Sequence, residues 1–361
     1  MIFAPCFTIT NAITAGLTTI ERARGFLQAA TLSEEWVRRM SQRALLLEAH
    51  HTTHIEGTEL TIEQAERAWA GERVTEARPD DVRELLNYRE AFNLVSTYLE
   101  SGEPITEGLI REIHKRLVAG VRGGEGGPGA YRNVQNYVAN SRTGEVVYTP
   151  PPPHDVPPMM ADLVRWLNVP GDVHPVLISG LAQFQFVHIH PFVDGNGRVG
   201  RCLIHVVYRQ RGLAPSIVPP ISLVLAARSD AYVAGLGSFR SGDPADWLEF
   251  FAVTAIAGVR HAESLGVRLD QLRQDWIDMA GNPRSDSSIR ALIERLPAEP
   301  VLSVARAMKI ADVSRPAAAR AVDQLADSTI LRPLDARERN RHWEAPAVFA
   351  LLDDFERELL R

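Results

Sequence analysis

One stretch constrains this chain more than any other: His190-Pro191-Phe192-Val193-Asp194-Gly195-Asn196-Gly197-Arg198-Val199-Gly200-Arg201, set between two apolar helical runs. Its place predicts a tight interhelical loop that ends on a helix N-terminus. Gly195, Asn196 and Gly197 adopt backbone conformations that other residues resist, so their amides can converge on one concavity that suits an anion. The following helix adds unpaired N–H groups and the positive end of its dipole. Arg198 and Arg201, three apart, project from one helical face over the same concavity. Charge-assisted hydrogen bonds are worth about 1.5–3 kcal/mol each, so two arginines and a nest suit a polyphosphate. Asp194 at the mouth is the residue type that anchors Mg²⁺ beside phosphates. His190 has a side chain that titrates near working pH, as a general base requires. Taken singly, a Gly-Asn-Gly turn, a histidine before proline or an i, i+3 arginine pair is ordinary. Twelve consecutive residues that fit one phosphate-handling geometry are not.

Composition removes the competing nucleotide sites. The only lysines among 361 residues are Lys115 and Lys309, after His114 and Met308. A Gly-Lys-Ser/Thr phosphate loop is therefore absent, and so is a strand lysine of the protein-kinase type. Length allows two or three packed units. A hydrophobic fraction of 45% with 23% charged residues describes a globular chain with a sizeable core. The net charge of −6 argues against general nucleic-acid coating. Cys6 and Cys202 cannot build a disulfide framework, the first ten residues lack a secretory pattern, and no apolar run approaches a membrane span. A cytoplasmic protein without a membrane partner is the expectation.

Apolar spacing predicts a helix over 33–56, stopped by Gly57. Thr61 to Gln64 reads as a capping box that opens another. Further helices are expected from Pro79, over 106–118, 158–168, 175–188 and 198–211, with a mostly helical remainder to about 280. The glycine-rich 123–129 precedes two β-rich runs, 131–138 and 146–148, around a polar turn at 140–144, which predicts a hairpin. From about 290, helices over 302–308 and 314–325, an extended 330–334 and a basic 337–342 suggest a winged helix-turn-helix. The expected division is 1–95, an N-terminal helical region; 96–280, a catalytic domain; and 290–361, the winged unit.

The loop matches, at every defined position, the signature H-x-F-x-D/E-G-N-G-R-x-x-R, and in this the chain resembles the Fic family. The resemblance implies a mainly α Fic fold with a β-hairpin flap and transfer of AMP from ATP to a Ser, Thr or Tyr hydroxyl of a target protein. It implies His190 as base, Asp194 on Mg²⁺, Gly195, Asn196 and Gly197 on the phosphates, and Arg198 and Arg201 as clamps. Kinase-like members carry lysine in place of the second motif glycine; Gly197 is intact here, which favours AMP transfer. The segment 131–153 looks like the family's flap, with Tyr137 and Val138 as target-docking positions. Tyr232 lies where similar proteins have an aromatic near the adenine.

Thr52-Thr53-His54-Ile55-Glu56-Gly57 matches the family's inhibitory pattern S/T-x-x-x-E-G/N. Glu56 at a helix end can reach Arg201 and occupy the donors that the γ-phosphate needs. Some relatives with this feature also remove AMP, with the glutamate positioning a water, and a homodimer is a common way to hold such a brake closed. Two other readings compete. His50 and His54 at i, i+4, or His188 and His190 with Asp194, resemble metal ligands, but neither set completes a hydrolase site. The winged unit suggests a DNA-binding regulator, yet from Arg306 to Glu344 eight basic residues face six acidic ones, a weak footprint for DNA. A protein-binding or dimerisation role suits it better.

Overall fold

A computed structural model describes residues 3–29, 34–100, 102–139, 143–169, 171–213, 219–240, 244–334 and 341–359. The basic stretch 335–340 and most of the polar turn at 140–142 lie outside the described residues. The molecule is mainly helical. Its centre is α7 (Pro175–Ile189), in which every residue but Pro175 and His188 is buried. A helix apolar on all sides must be enclosed on all sides, and the chain surrounds it accordingly.

Around α7 lie α8 (Asn196–Gln210), α6 (Val156–Asn168) and the first half of α11 (Ala245–Met279). Trp247 of α11 donates its indole N–H to Gly180 O at 2.9 Å, and Phe251 is fully buried beside it. α4 (Pro79–Glu100) and α5 (Glu107–Leu117) close the other side. The expected capping box forms, Thr61 with Gln64 at the start of α3 (Ile62–Trp69), and Thr106 accepts from Leu109 N at the start of α5. α1 (Asn11–Ala29), which the sequence reading does not include, packs Ile13 and Ile20 into this core along α11.

α2 (Glu34–Ile55) is shared between two cores. Its Ala44 and Ala49 belong to the core around α7, whereas Leu46 and Leu47 belong to a second core. That second core gathers Leu223 of α9 (Ile221–Ala227), the distal part of α11 (Leu265, Leu269, Trp276) and the C-terminal elements. At 35 residues, α11 is about 50 Å long and runs through both. Between α9 and α11 lies α10 (Ser229–Arg240).

The C-terminal order is α12 (Ser288–Arg295), β3 (Val301–Ser303), α13 (Val304–Ala311), α14 (Arg315–Asp327), β4 (Arg332–Pro333), β5 (His342–Glu344) and α15 (Pro346–Leu359). The three strands form one antiparallel sheet in the order β3-β5-β4. Here the expected helix over 302–308 starts later. Leu302 pairs with Trp343 as strand, and Ser303 caps the helix that follows by accepting from Arg306 N.

The hairpin is shorter than the sequence suggests. β1 (Val138–Ala139) pairs antiparallel with β2 (Val146–Tyr148), but 131–137 is not strand. Its backbone and side chains are drawn to the core instead: Arg132 N donates to Pro191 O, Gln135 to Pro150 O, and Asn136 to Phe192 O and Val193 O.

Candidate active site

The loop between α7 and α8 is closed by its own side chains. Phe192 is fully buried; its N–H donates to Asn196 Oδ1, and Asn196 Nδ2 donates back to Phe192 O, each at 2.9 Å. The Asn196 amide is thus spent on loop closure, and its backbone alone faces the concavity. Gly195 caps α8 with φ of 77°, a left-handed conformation that a side chain would strain. Asp194 Oδ1 accepts from Gly195 N at 2.6 Å and leaves the carboxylate partly exposed at the rim.

His190 caps α7 with φ of 51°. A left-handed non-glycine residue is uncommon and is sustained only where its surroundings over-determine it. The device that does so is Arg132, which sequence reasoning left without a role. Its guanidinium donates to His190 O at 2.8 Å, Ile189 O at 3.3 Å, Val134 O at 3.1 Å and Pro151 O, so it caps the carbonyl end of α7 from the flap side. His190 Nδ1 lies 3.3 Å from Val187 O. A carbonyl can only accept, so Nδ1 carries the proton and Nε2 is the basic nitrogen. Replacing Arg132 by alanine leaves the buried Ile189 carbonyl and the part-buried carbonyls of His190 and Pro151 without this donor, and we expect a loss of about 2 kcal/mol in urea unfolding.

His114 of α5 supports the loop from the other side. Its ring stacks on Phe192 with centroids 3.7 Å apart. Gly129 N donates to Nδ1 at 2.9 Å, which leaves Nε2–H to donate to Asp194 O at 3.1 Å. Burial lowers its pKa to about 4, so the ring is neutral near pH 7 and holds this tautomer. A single imidazole thereby ties α5, the glycine-rich segment and the carboxylate-bearing turn together.

Arg198 and Arg201 are each 1% exposed, and each is occupied. Arg201 Nε donates to Thr52 Oγ at 2.7 Å, and its Nη2 donates to Thr52 O at 3.0 Å and Glu56 Oε1 at 2.6 Å. A Cβ on Gly197 would collide with that same Glu56 oxygen, so the second motif glycine is also what lets the carboxylate in. Arg198 Nη1 donates to Glu84 Oε2 of α4 at 3.0 Å. Its Nε and Nη2 are buried and, among the described residues, have no hydrogen-bond partner. Arg122, from the segment before the flap, donates to Glu56 O at 2.7 Å and lies 3.9 Å from both Glu84 and Asp194. Glu84 and Arg122 give no local sequence signal. Both act across more than sixty intervening residues.

Burial by itself would raise the Glu56 carboxyl, but the charge and hydrogen bond of Arg201, helped by Arg198 and Arg122, hold it below its ordinary value of 4.5. A depressed carboxyl contributes stability above its unfolded pKa and loses it as pH falls through the folded one. The stability difference between the wild type and Glu56→Gln is therefore expected to be constant from about pH 7 to about pH 5, and to close only below the ordinary value. Urea titrations at a series of pH values measure this directly.

Tyr232 departs from the expectation. It is 5% exposed with its ring against Trp247, so no open face remains for an adenine. Gln183 Nε2 donates to its hydroxyl at 2.7 Å, on the side of the ring that faces the Arg201 guanidinium. Tyr137 is 62% exposed on the flap, with Val146 and Val147 also exposed and Val138 half-buried. The flap is pinned at its base, where the Tyr148 hydroxyl donates to His188 O at 2.8 Å and lies 2.8 Å from His188 Nδ1. His50 and His54 stack with ring centroids 6.3 Å apart. Among the described residues no group of three His, Cys, Asp or Glu is placed to hold a metal ion, and none is long and apolar enough as a helix to cross a membrane.

Residues 104–208 match the Fic/DOC family, and residues 24–96 match the Fic/DOC family N-terminal region. The chain is 32% identical over 206 residues to the protein adenylyltransferase Fic of Drosophila ananassae, and 32% identical over the same length to that of Drosophila melanogaster. Each match covers 56% of this chain and 40% of the relative, so the chain matches less than half the length of these relatives. Among solved structures, a Fic family protein from Desulfovibrio desulfuricans G20 superposes with a TM-score of 0.63 at 24% identity, covering 95% of this chain and 98% of that one. A Fic domain containing signaling protein from Bacteroides thetaiotaomicron superposes with a TM-score of 0.57 at 23% identity, covering 70% and 95%.

Proposed function

The chain belongs to the Fic/DOC family, and we propose that it transfers AMP from ATP to a hydroxyl on a target protein. The observation that carries this reading is the pairing of a sterically fixed His190 with two buried arginines, one of them holding unpartnered donors, around a single loop. The relatives named protein adenylyltransferase support the reaction class.

In this reading the amides of Asn196 and Gly197 and the guanidinium of Arg198 receive the phosphates, joined by the Gly195 N–H once Asp194 releases it. Arg201 receives the distal phosphate once Glu56 leaves it. His190 Nε2 takes the proton of the target hydroxyl as its oxygen attacks the α-phosphorus, and pyrophosphate departs with its charge held by the arginines. Asp194 suits Mg²⁺: a single hard carboxylate beside a phosphate nest is what an ion that keeps most of its waters needs. When bound, that ion would neutralise phosphate charge. The exposed edge of the flap, with Tyr137 and Val138, pairs with the target segment in extended form.

Glu56 is read as a brake. With its carboxylate on Arg201, ATP binds without its distal anchor, and the α-phosphorus is misaligned with His190. The C-terminal helices and three-stranded sheet, over 290–361, are read as a winged helix-turn-helix that binds protein. Two of its arginines are spent internally, Arg306 on Glu299 and Arg332 on Glu344, which lowers the charge left for DNA. The test of the reaction class is label transfer from ATP marked at the α- or the γ-phosphate. Protein labelled from the α-position alone supports AMP transfer, and label from the γ-position alone overturns it.

A further inference from the structure

Below the site, α2 meets α8 along one face at one-turn intervals. Glu56 and Thr52 engage Arg201, and one turn further back Glu48 engages His205, whose Nε2 lies 2.9 Å from Glu48 Oε1. Glu48 is 0% exposed and His205 2% exposed. A buried carboxylate is costly unless its oxygens are satisfied, and here they are. Ser222, at the first turn of α9, donates its N–H to Oε2 at 2.8 Å and its hydroxyl to Oε1. The Tyr88 hydroxyl of α4 approaches Oε1 at 3.5 Å. The rings of Phe92 and Tyr208 stand edge-on to His205. Burial would raise the Glu48 carboxyl, yet His205 and the two donors of Ser222 bring it below its ordinary value. The arrangement holds a carboxylate rather than a neutral acid.

Nothing in AMP transfer uses this cluster, since it touches neither loop nor flap. Its geometry answers a different need. Glu56 stands one residue past the last turn of α2, in a partly exposed turn where water competes for its contact with Arg201. A rotation of α2 by one residue turns its side chains by about 100° and carries Glu56 off the guanidinium. Apolar contacts of Ala44, Ala49 and Leu47 tolerate such slippage better than a directional, fully buried polar cluster does.

We propose that Glu48, held by His205 and Ser222, is the positioning residue that fixes the register of α2 on the core and so keeps Glu56 on Arg201. The role rests on the reading of Glu56 as the brake. Glu48 is an anchor two turns away from the contact it sets, and it touches no reacting atom.

The test uses the full chain with Glu48→Gln, an isosteric change, and Ser222→Ala, which removes one hydroxyl and guards against a Glu48 variant that fails to fold. Amide hydrogen exchange across residues 49–57 reads the anchor directly, whatever Glu56 does. Exchange faster by about fivefold or more in either variant is expected, and unchanged exchange in both overturns the proposal. Labelling from α-marked ATP then reads the consequence. Glu48→Gln is expected to raise labelling about fivefold in the wild type and to add nothing in Glu56→Gly, where no brake remains to be positioned. A fall of labelling by the same factor in both backgrounds marks a merely structural residue and contradicts the proposal. Should Glu56→Gly itself fail to raise labelling, the brake reading falls, and exchange still decides whether Glu48 anchors the helix.

Discussion

His190→Ala is expected to reduce AMP transfer about a thousandfold while leaving ATP affinity within about twofold of the parent protein. The reason is the division of labour in the loop. In the proposed reading the phosphates are received by Gly195 to Gly197 and by Arg198, none of which depends on the imidazole. Loop closure rests on the Phe192–Asn196 exchange and on Arg132, which binds the His190 carbonyl rather than its side chain. Alanine keeps those contacts, so stability should change by no more than about 1 kcal/mol. The loss therefore falls on kcat and not on binding. Steady-state rates measured beside a direct ATP titration separate the two. A variant that loses affinity and rate together would mean that His190 holds nucleotide and is not the base.

Glu56→Gly carries the second large effect, an increase of about a hundredfold in transfer. Removing the carboxylate frees one N–H of Arg201 Nη2 without releasing the side chain, because Thr52 still accepts from Nε and Nη2. On the proposed reading Arg201 is thus pre-positioned for the distal phosphate when Glu56 is removed. The substitution is also mild for the backbone. Position 56 lies in the turn after α2, beside Gly57 with φ of 95°, so the usual helix-interior penalty of about 1 kcal/mol for glycine applies weakly. A misplacement of about 1 Å at the reacting centre accounts for a factor of this size. Rates that rise with ATP saturation unchanged would assign the effect to alignment; a fall in KM alone would assign it to binding.

What could be read from residue order was what local chemistry specifies. Thr61 with Gln64, Thr106 before Leu109, and Pro79 ahead of Asp80 and Asp81 each announce a helix start within a few residues. The loop from His190 to Arg201 is contiguous, and the Glu56–Arg201 contact follows once both motifs are matched. Glu84 on Arg198, Arg122 on the Glu56 carbonyl and His114 under Asp194 were not legible. Each is an unremarkable polar residue on its own helix or loop, and only tertiary packing aims it at the site. The same limit explains Tyr232: resemblance to similar proteins suggests a ring near the adenine, whereas the ring is buried beside Trp247. It also explains the flap, where Arg132 and Asn136 pull 131–137 off the strand geometry that their neighbours favour.

The most direct test of the account is transfer from α-labelled ATP with Mg²⁺ by the wild type, Glu56→Gly, and Glu56→Gly combined with His190→Ala. The account predicts weak labelling by the wild type, labelling about a hundredfold stronger by Glu56→Gly, and its return to background in the double variant. Strong labelling that survives the loss of His190, or no labelling by Glu56→Gly, would contradict it.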